Sequence, residues 1–294
     1  MFQKFAAALL LSTSMAHAAE IETFAGPVST PDNPSTIAVL DIAAVDTLTA
    51  LGVSIEGVPA NVYVDYLKEP TKDAAPIGSL FEPDFEAIHA LQPDLVIVGG
   101  RSSRQRAAVS ELAPTIDMTI WEDTVGQGLD RLKAYGDLFG KEEQAAQLRT
   151  DFEAKLAETK AALDGQGKAL IVLTNGPKVS AYGSEGRFGW LHSALDLPEA
   201  VQQVEKATHG EAVSFEFIRD ANPDILIVLD RLAAIGQPGE SAATTLDNPL
   251  VAETNAWKNG KVIYLNSGDI YIAGGGIQSM TRSLDLILEA MNQG

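Results

Sequence analysis

The chain has 294 residues, no cysteine and a formal net charge of −19 at neutral pH. That balance excludes nucleic acid and anionic membrane surfaces as natural partners, and the missing thiols exclude thiolate catalysis and cysteine-ligated metal sites. An anionic ligand would need a local positive site built against the field of the whole protein, so the nine arginines carry the interest.

Residues 1–18 read as a cleavable secretory leader. Lys4 gives a positive start, Phe5 to Leu11 is apolar, and Ala16-His17-Ala18 is a small-x-small site, so cleavage is expected near Ala18/Ala19. The apolar stretch is too short to span a bilayer. Loss of Lys4 takes the charge from −19 to −20. No cysteine follows the apolar stretch, so no lipid anchor is expected, and the expected product is a soluble, monomeric protein of the periplasm.

Short unalternated apolar runs predict buried strands at Thr36–Leu40, Leu95–Val98, Ala169–Leu173, Ile225–Leu229 and Val262–Leu265. Helical periodicity falls between them, at Ala44–Leu51, Gly128–Phe139 and Ile277–Met291. Strands alternating with helices predict an α/β protein with parallel-type sheets. Glu142–Leu163 contains no Gly or Pro, carries Leu148, Phe152, Leu156 and Leu163 as one apolar stripe, and ends at Gly165-Gln166-Gly167. It predicts one helix of about 33 Å. The expected plan is two Rossmann-like lobes joined by this single rigid helix: an N-terminal lobe at 19–140, the linking helix at 141–165 and a C-terminal lobe at 166–294.

An internal repeat supports two equivalent lobes. Phe85-Glu86-Ala87-Ile88 through Pro93-Asp94 to Val98 matches Phe215-Glu216-Phe217-Ile218 through Pro223-Asp224 to Val228, without a gap, at an offset of 130 residues. Each copy reads as a short helix, a Pro-Asp turn and a buried strand. Arg101 and Arg231 follow at the same offset, so each lobe is expected to present one arginine from the C-terminal end of an equivalent strand, where open α/β sheets bind ligands.

Catalytic signatures are absent: there is no His-Glu-x-x-His, no Gly-x-Ser-x-Gly and no Walker loop. Gly274-Gly275-Gly276 lacks dinucleotide-fingerprint spacing and reads as a flexible turn opening the last helix. Beyond the leader, the histidines are His89 and His192, both within expected helices, and His209, in the loop Lys206–Gly210. Arg187 lies in a glycine-rich loop between a strand at Val179–Tyr182 and a helix. Taken singly, Arg187 reads equally as a surface arginine, Tyr271 as a packing residue, and His209 as an unliganded loop residue.

In combination they resemble a known family. Gly100-Arg101-Ser102-Ser103, Leu170–Asn175, Arg187-Phe188-Gly189, Thr208-His209-Gly210, Leu229-Asp230-Arg231 and Tyr271-Ile272-Ala273-Gly274 resemble, in order, periplasmic solute-binding proteins for iron–siderophores. This is the class III, helical-backbone type, and the likeness is greatest to its catecholate branch (petrobactin and bis-catecholate binders). The resemblance implies that Arg101, Arg187 and Arg231 bind the catecholate oxygens of an Fe(III)–siderophore complex. It implies that His209 and Tyr271 complete the iron coordination when the siderophore supplies only four donors. It further implies that Glu86 and Glu216 dock an inner-membrane ABC transporter permease, and that the protein has no permanent cofactor and is not an enzyme. Forked guanidinium groups suit anionic catecholate oxygens, and phenolate oxygen suits the hard ferric ion. The alternatives are a carrier of a hydroxamate siderophore, haem or cobalamin, whose neutral forms fit three arginines poorly, and a manganese or zinc carrier, for which histidines are too few. A periplasmic hydrolase using Glu185, Asp230 or Asp269 as acid or base lacks a visible nucleophile–base pair.

Overall fold

A computed structural model describes residues 18–202, 204–205 and 209–292. The expected leader falls on residues 1–17, outside the described residues. The strands are β1 (Ala18–Thr23), β2 (Gly26–Pro31), β3 (Ile37–Val39), β4 (Gly57–Val58), β5 (Ala75–Pro76), β6 (Leu95–Val98), β7 (Thr115–Asp117), β8 (Ala169–Asn175), β9 (Lys178–Tyr182), β10 (Glu211–Val213), β11 (Ile225–Asp230) and β12 (Val262–Tyr264).

The strands form two five-stranded sheets and a hairpin. The first sheet has the order β5-β4-β3-β6-β7 and the second β10-β9-β8-β11-β12. Leu95, Val96, Ile97 and Val98 are all fully buried, which is why this stretch is continuously apolar: helices cover both faces. The first sheet is parallel throughout. In the second, β9 runs antiparallel to both β8 and β10, the exception within the mostly parallel pairing that the sequence predicts. Only Gly176 and Pro177 separate β8 from β9, and a connection so short permits a hairpin but no crossover. Sequence periodicity also misses the β1–β2 hairpin.

The repeat has the same wiring in each lobe. Helix Phe85–Leu91 is capped by Asp84 and closes at Gln92 in the left-handed region (φ 51°). Helix Phe215–Ala221 is capped by Ser214 and closes at Asn222 (φ 40°). Asp94 then accepts hydrogen bonds from the backbone N–H of Ser35 and Thr36, and Asp224 accepts from that of Lys168. Each Pro-Asp turn thereby pins the start of the neighbouring central strand, β3 or β8.

Glu142–Leu163 is one unbroken helix. It buries Phe152 and Leu163 and half-buries Leu148 and Leu156, while Arg149–Glu153 and Lys155–Glu158 pairs lie on its solvent side. The last helix, Ile277–Asn292, packs along it and also reaches the first lobe. There Asp46 of helix Ile42–Ala50 accepts from the backbone N–H of Gln278 (2.8 Å) and Ser279 (3.0 Å). A side chain of the first lobe thus caps the N-terminus of the last helix, satisfying donors that the helix cannot satisfy itself. The approach requires a glycine: a Cβ on Gly276 would stand 2.5 Å from the Asp46 carboxyl. The Gly274–Gly276 turn is therefore a docking point between lobes as well as a turn.

Phe152 is fully buried and anchors the linking helix, so Phe152→Ala is expected to destabilise the protein by about 3–5 kcal/mol. The denaturant midpoint should fall without a change in the slope of the transition.

Candidate functional site

Three arginines remote in sequence converge on Tyr271. Arg101 follows β6 through Gly99 and Gly100. Its turn is held by Gly99 N–H to Ser102 Oγ (3.0 Å) and Gly100 N–H to Thr119 Oγ1 (2.9 Å). Arg231 opens a short helix directly after β11, and Asn175, at the end of neighbouring β8, accepts from it at 3.4 Å. The two repeat arginines thus leave equivalent strand ends, as the offset predicts. Arg187 comes from the glycine-rich loop after β9.

Tyr271 sits in a single π-helical turn, Gly268–Ile272, a wide turn that exposes backbone carbonyls and recurs at functional sites. Its carbonyl oxygen accepts from Arg101 Nη2 (2.9 Å) and Arg187 Nη2 (2.6 Å). Its ring lies 4.1 Å from the Arg187 guanidinium and 5.4 Å from that of Arg101, within cation–π range. Phe188 packs beside it, with ring centroids 6.3 Å apart, and Tyr182 meets Phe188 edge-on at 4.7 Å. Burial pushes the Tyr271 phenol up, but Arg187, Arg231 and Arg101 together outweigh it, and the net direction is down. Tyr182, one ring further away, goes the other way: burial dominates and its phenol is pushed up to about 12.

None of the three arginines forms an ion pair with a carboxylate among the described residues, whereas Arg149, Arg219 and Arg282 each do. Burial and the neighbouring Arg187 both lower the pKa of Arg101. Behind Arg101, Asp41 caps helix Ile42–Ala50; burial raises its carboxyl to about 6 although Arg101 pulls it down. A recess of about 390 Å³ beside the ends of β11 and β12 is lined by Tyr63 and Asp65 from the first lobe and by Asp230, Tyr264, Asn266 and Ser267 from the second, and by none of the three arginines or Tyr271.

His209 is exposed, in a loop whose residues 206–208 lie outside the described residues. One residue later the loop returns to the site, where a Cβ on Gly210 would stand 2.7 Å from the Tyr182 ring. Glu86 and Glu216 are both exposed, in the first turns of the two repeat helices. His89 is exposed, and His192 is buried with Nδ1 2.9 Å from the Leu197 carbonyl. The carboxylates considered for a hydrolase are engaged or remote. Asp230 accepts from the N–H groups of Ala233 and Ala242, Asp269 is paired with Arg282, and Glu185 is exposed. Sequence reasoning missed Tyr182 and Asn175, whose only signals are their places at the ends of apolar strands.

A family model described as periplasmic binding protein matches residues 37–268. The chain belongs to that family. It is 35% identical over 271 residues to the petrobactin-binding protein YclQ of Bacillus subtilis, covering 90% of this chain and 84% of that protein. It is 33% identical over 277 residues to the ferric-anguibactin-binding protein FatB of Vibrio anguillarum, covering 92% and 86%. The crystal structure of YclQ superposes with a TM-score of 0.88 at 31% identity, covering 95% of this chain and 100% of the other. The siderophore-binding protein BauB, bound to a complex of two acinetobactin molecules and ferric iron, superposes with a TM-score of 0.84 at 30% identity, covering 94% and 99%. The two-lobed class III architecture expected from the sequence is the fold of these neighbours. No helix among the described residues is long and apolar enough to cross a membrane.

The electrostatics of Tyr271 can be titrated. The tyrosinate absorbance lost in Tyr271→Phe should titrate below the ordinary tyrosine range, and Arg187→Met should move it up. A Tyr271 phenol unmoved by Arg187→Met would contradict the assigned cause.

Proposed function

We propose that this chain is a periplasmic receptor that captures an anionic ferric siderophore, of catecholate type, and delivers it to an inner-membrane ABC permease. One observation carries the reading: Arg101, Arg187 and Arg231 meet at Tyr271 without an ion-paired carboxylate among the described residues, in a protein whose net charge is −19. Uncompensated guanidinium groups half-withdrawn from water suit an anionic ligand with paired oxygens, which they bind by forked, charge-assisted hydrogen bonds. The names of the relatives, petrobactin-binding and ferric-anguibactin-binding, support the same ligand class.

In this reading the arginines hold the catecholate oxygens and the depressed Tyr271 phenol is available to a hard ferric ion. His209 supplies a second protein donor from its loop. A tetradentate siderophore leaves an octahedral ion two open positions, the number these side chains fill. Fe(III)–siderophore is cargo, no cofactor is held, and the chain binds without turning over its ligand. Glu86 and Glu216, on equivalent helices of lobes 19–140 and 166–294, meet basic groups of the permease while helix 141–165 keeps them at a fixed separation. The leader is removed near Ala18/Ala19 and the mature protein is a soluble monomer without a lipid anchor.

Titration of the purified protein with a ferric tetradentate bis-catecholate should quench Trp190 saturably, with a Kd below about 10 μM. Each charged hydrogen bond contributes about 1.5–3 kcal/mol, so Arg187→Met or Arg231→Met should weaken binding by about one to two orders of magnitude. His209→Ala and Tyr271→Phe should weaken tetradentate complexes much more than hexadentate ones. Absence of saturable binding sinks the ligand class, and equal losses for both denticities sink direct ligation of iron.

A further inference from the structure

The π-helical turn that carries Tyr271 also carries a buried carboxylate that the site does not use. The Asp269 side chain is 1% exposed. One oxygen accepts from Arg282 Nε at 2.8 Å, and the other, Oδ1, is buried with no hydrogen-bond partner among the described residues. Arg282 belongs to the last helix, and its guanidinium lies 4.5 Å from the centre of the Tyr66 ring. Tyr66 is a first-lobe residue, and its hydroxyl donates to Asp46, the carboxylate that caps the last helix through Gln278 and Ser279. The chain of contacts therefore runs from first-lobe Asp46 and Tyr66, through Arg282, to Asp269, two residues before Tyr271.

Stability does not explain this arrangement. Asp269 is withdrawn from water while the Arg282 side chain stays 46% exposed, so the cost of burying the carboxylate is set against an attraction that solvent screens, and a buried acceptor without a partner is a net cost. Its distinctive property is direction. An ion pair with a hydrogen bond fixes orientation, whereas an apolar contact tolerates sliding. What it fixes here is a wide turn whose Tyr271 carbonyl is the shared acceptor for Arg101 and Arg187.

We infer that Asp269 and Arg282 are positioning residues that hold the Tyr271 turn in register with the first lobe. They thereby set the aim of the Tyr271 phenol and the spacing of the arginines. The inference rests on the binding-site reading above for its ligand consequence, but its structural half concerns the free protein alone.

The test separates the two. In the ligand-free protein, amide hydrogen exchange across residues 268–273 is expected to speed up by about tenfold or more in Asp269→Leu/Arg282→Met, while the denaturant midpoint stays level or rises. Unchanged exchange in the turn overturns the inference, as does a loss of global stability that accounts for the faster exchange. For ligand, the double variant should lose about tenfold or more in affinity for a ferric tetradentate bis-catecholate and about threefold or less for a hexadentate one. Equal losses overturn the aiming role, provided Tyr271→Phe in the parent does discriminate. If Tyr271→Phe fails to discriminate, direct ligation falls instead, and exchange alone decides the positioning role. Arg282→Lys, which keeps a cation beside Asp269, guards against a double variant that does not fold. It should stay within about threefold of the parent, and behaviour like that of Arg282→Met overturns the ion-pair account.

Discussion

Three guanidinium groups gathered around one tyrosine are the constraint on which the rest of this structure depends. Like charges repel, and the arrangement persists because Tyr271 offers them two kinds of negative surface, a carbonyl oxygen shared by Arg101 and Arg187 and the face of its ring. Bringing them there takes both lobes. Two sheets must end their central strands facing each other, a loop must carry Arg187 between them, and a π turn must aim a carbonyl away from its own helix. The long linking helix makes this possible by spacing two similar modules and leaving the cleft between them.

The modules are equivalent in wiring but not in contribution. Asp94 and Asp224 pin corresponding strands, and Arg101 and Arg231 leave corresponding ends. The second lobe brings Arg187, Tyr271 and the aromatic pair Tyr182 and Phe188. The first lobe contributes Arg101 directly and reaches the last helix through Asp46 and Tyr66. One lobe thus supplies most of the chemistry and the other supplies much of the alignment.

The parts legible in the sequence were those governed by local chemistry. Leu95–Val98 reads as a strand because it is apolar on both faces. Glu142–Leu163 reads as a helix because nothing interrupts its period, and the 130-residue repeat exposes the two lobes together with Arg101 and Arg231. The resemblance assigns the three arginines and Tyr271 to one ligand, but that the arginines meet on Tyr271 itself is not legible in spacing, since 170 residues separate Arg101 from it. What stayed hidden depends on approach between distant segments. The reversal of β9 follows from a two-residue connection that an apolar pattern does not weigh. Asp46 reads as an ordinary helical aspartate until the last helix arrives to be capped. Gly276 reads as flexible although it is fixed by that close approach. Asp269 reads as a candidate acid or base until Arg282, 13 residues later, is seen to hold it.

The capped last helix also bears on how such a protein lets go. It lies along the linking helix and ends against the first lobe, so the two lobes are braced by a second strut as well as joined by the first. A wide swing between them would uncap a helix and part a buried carboxylate from its donors. Wide opening of the lobes therefore carries a cost already present in the ligand-free fold. Any motion that parts the lobes must meet that cost in addition to breaking whatever contacts span the cleft.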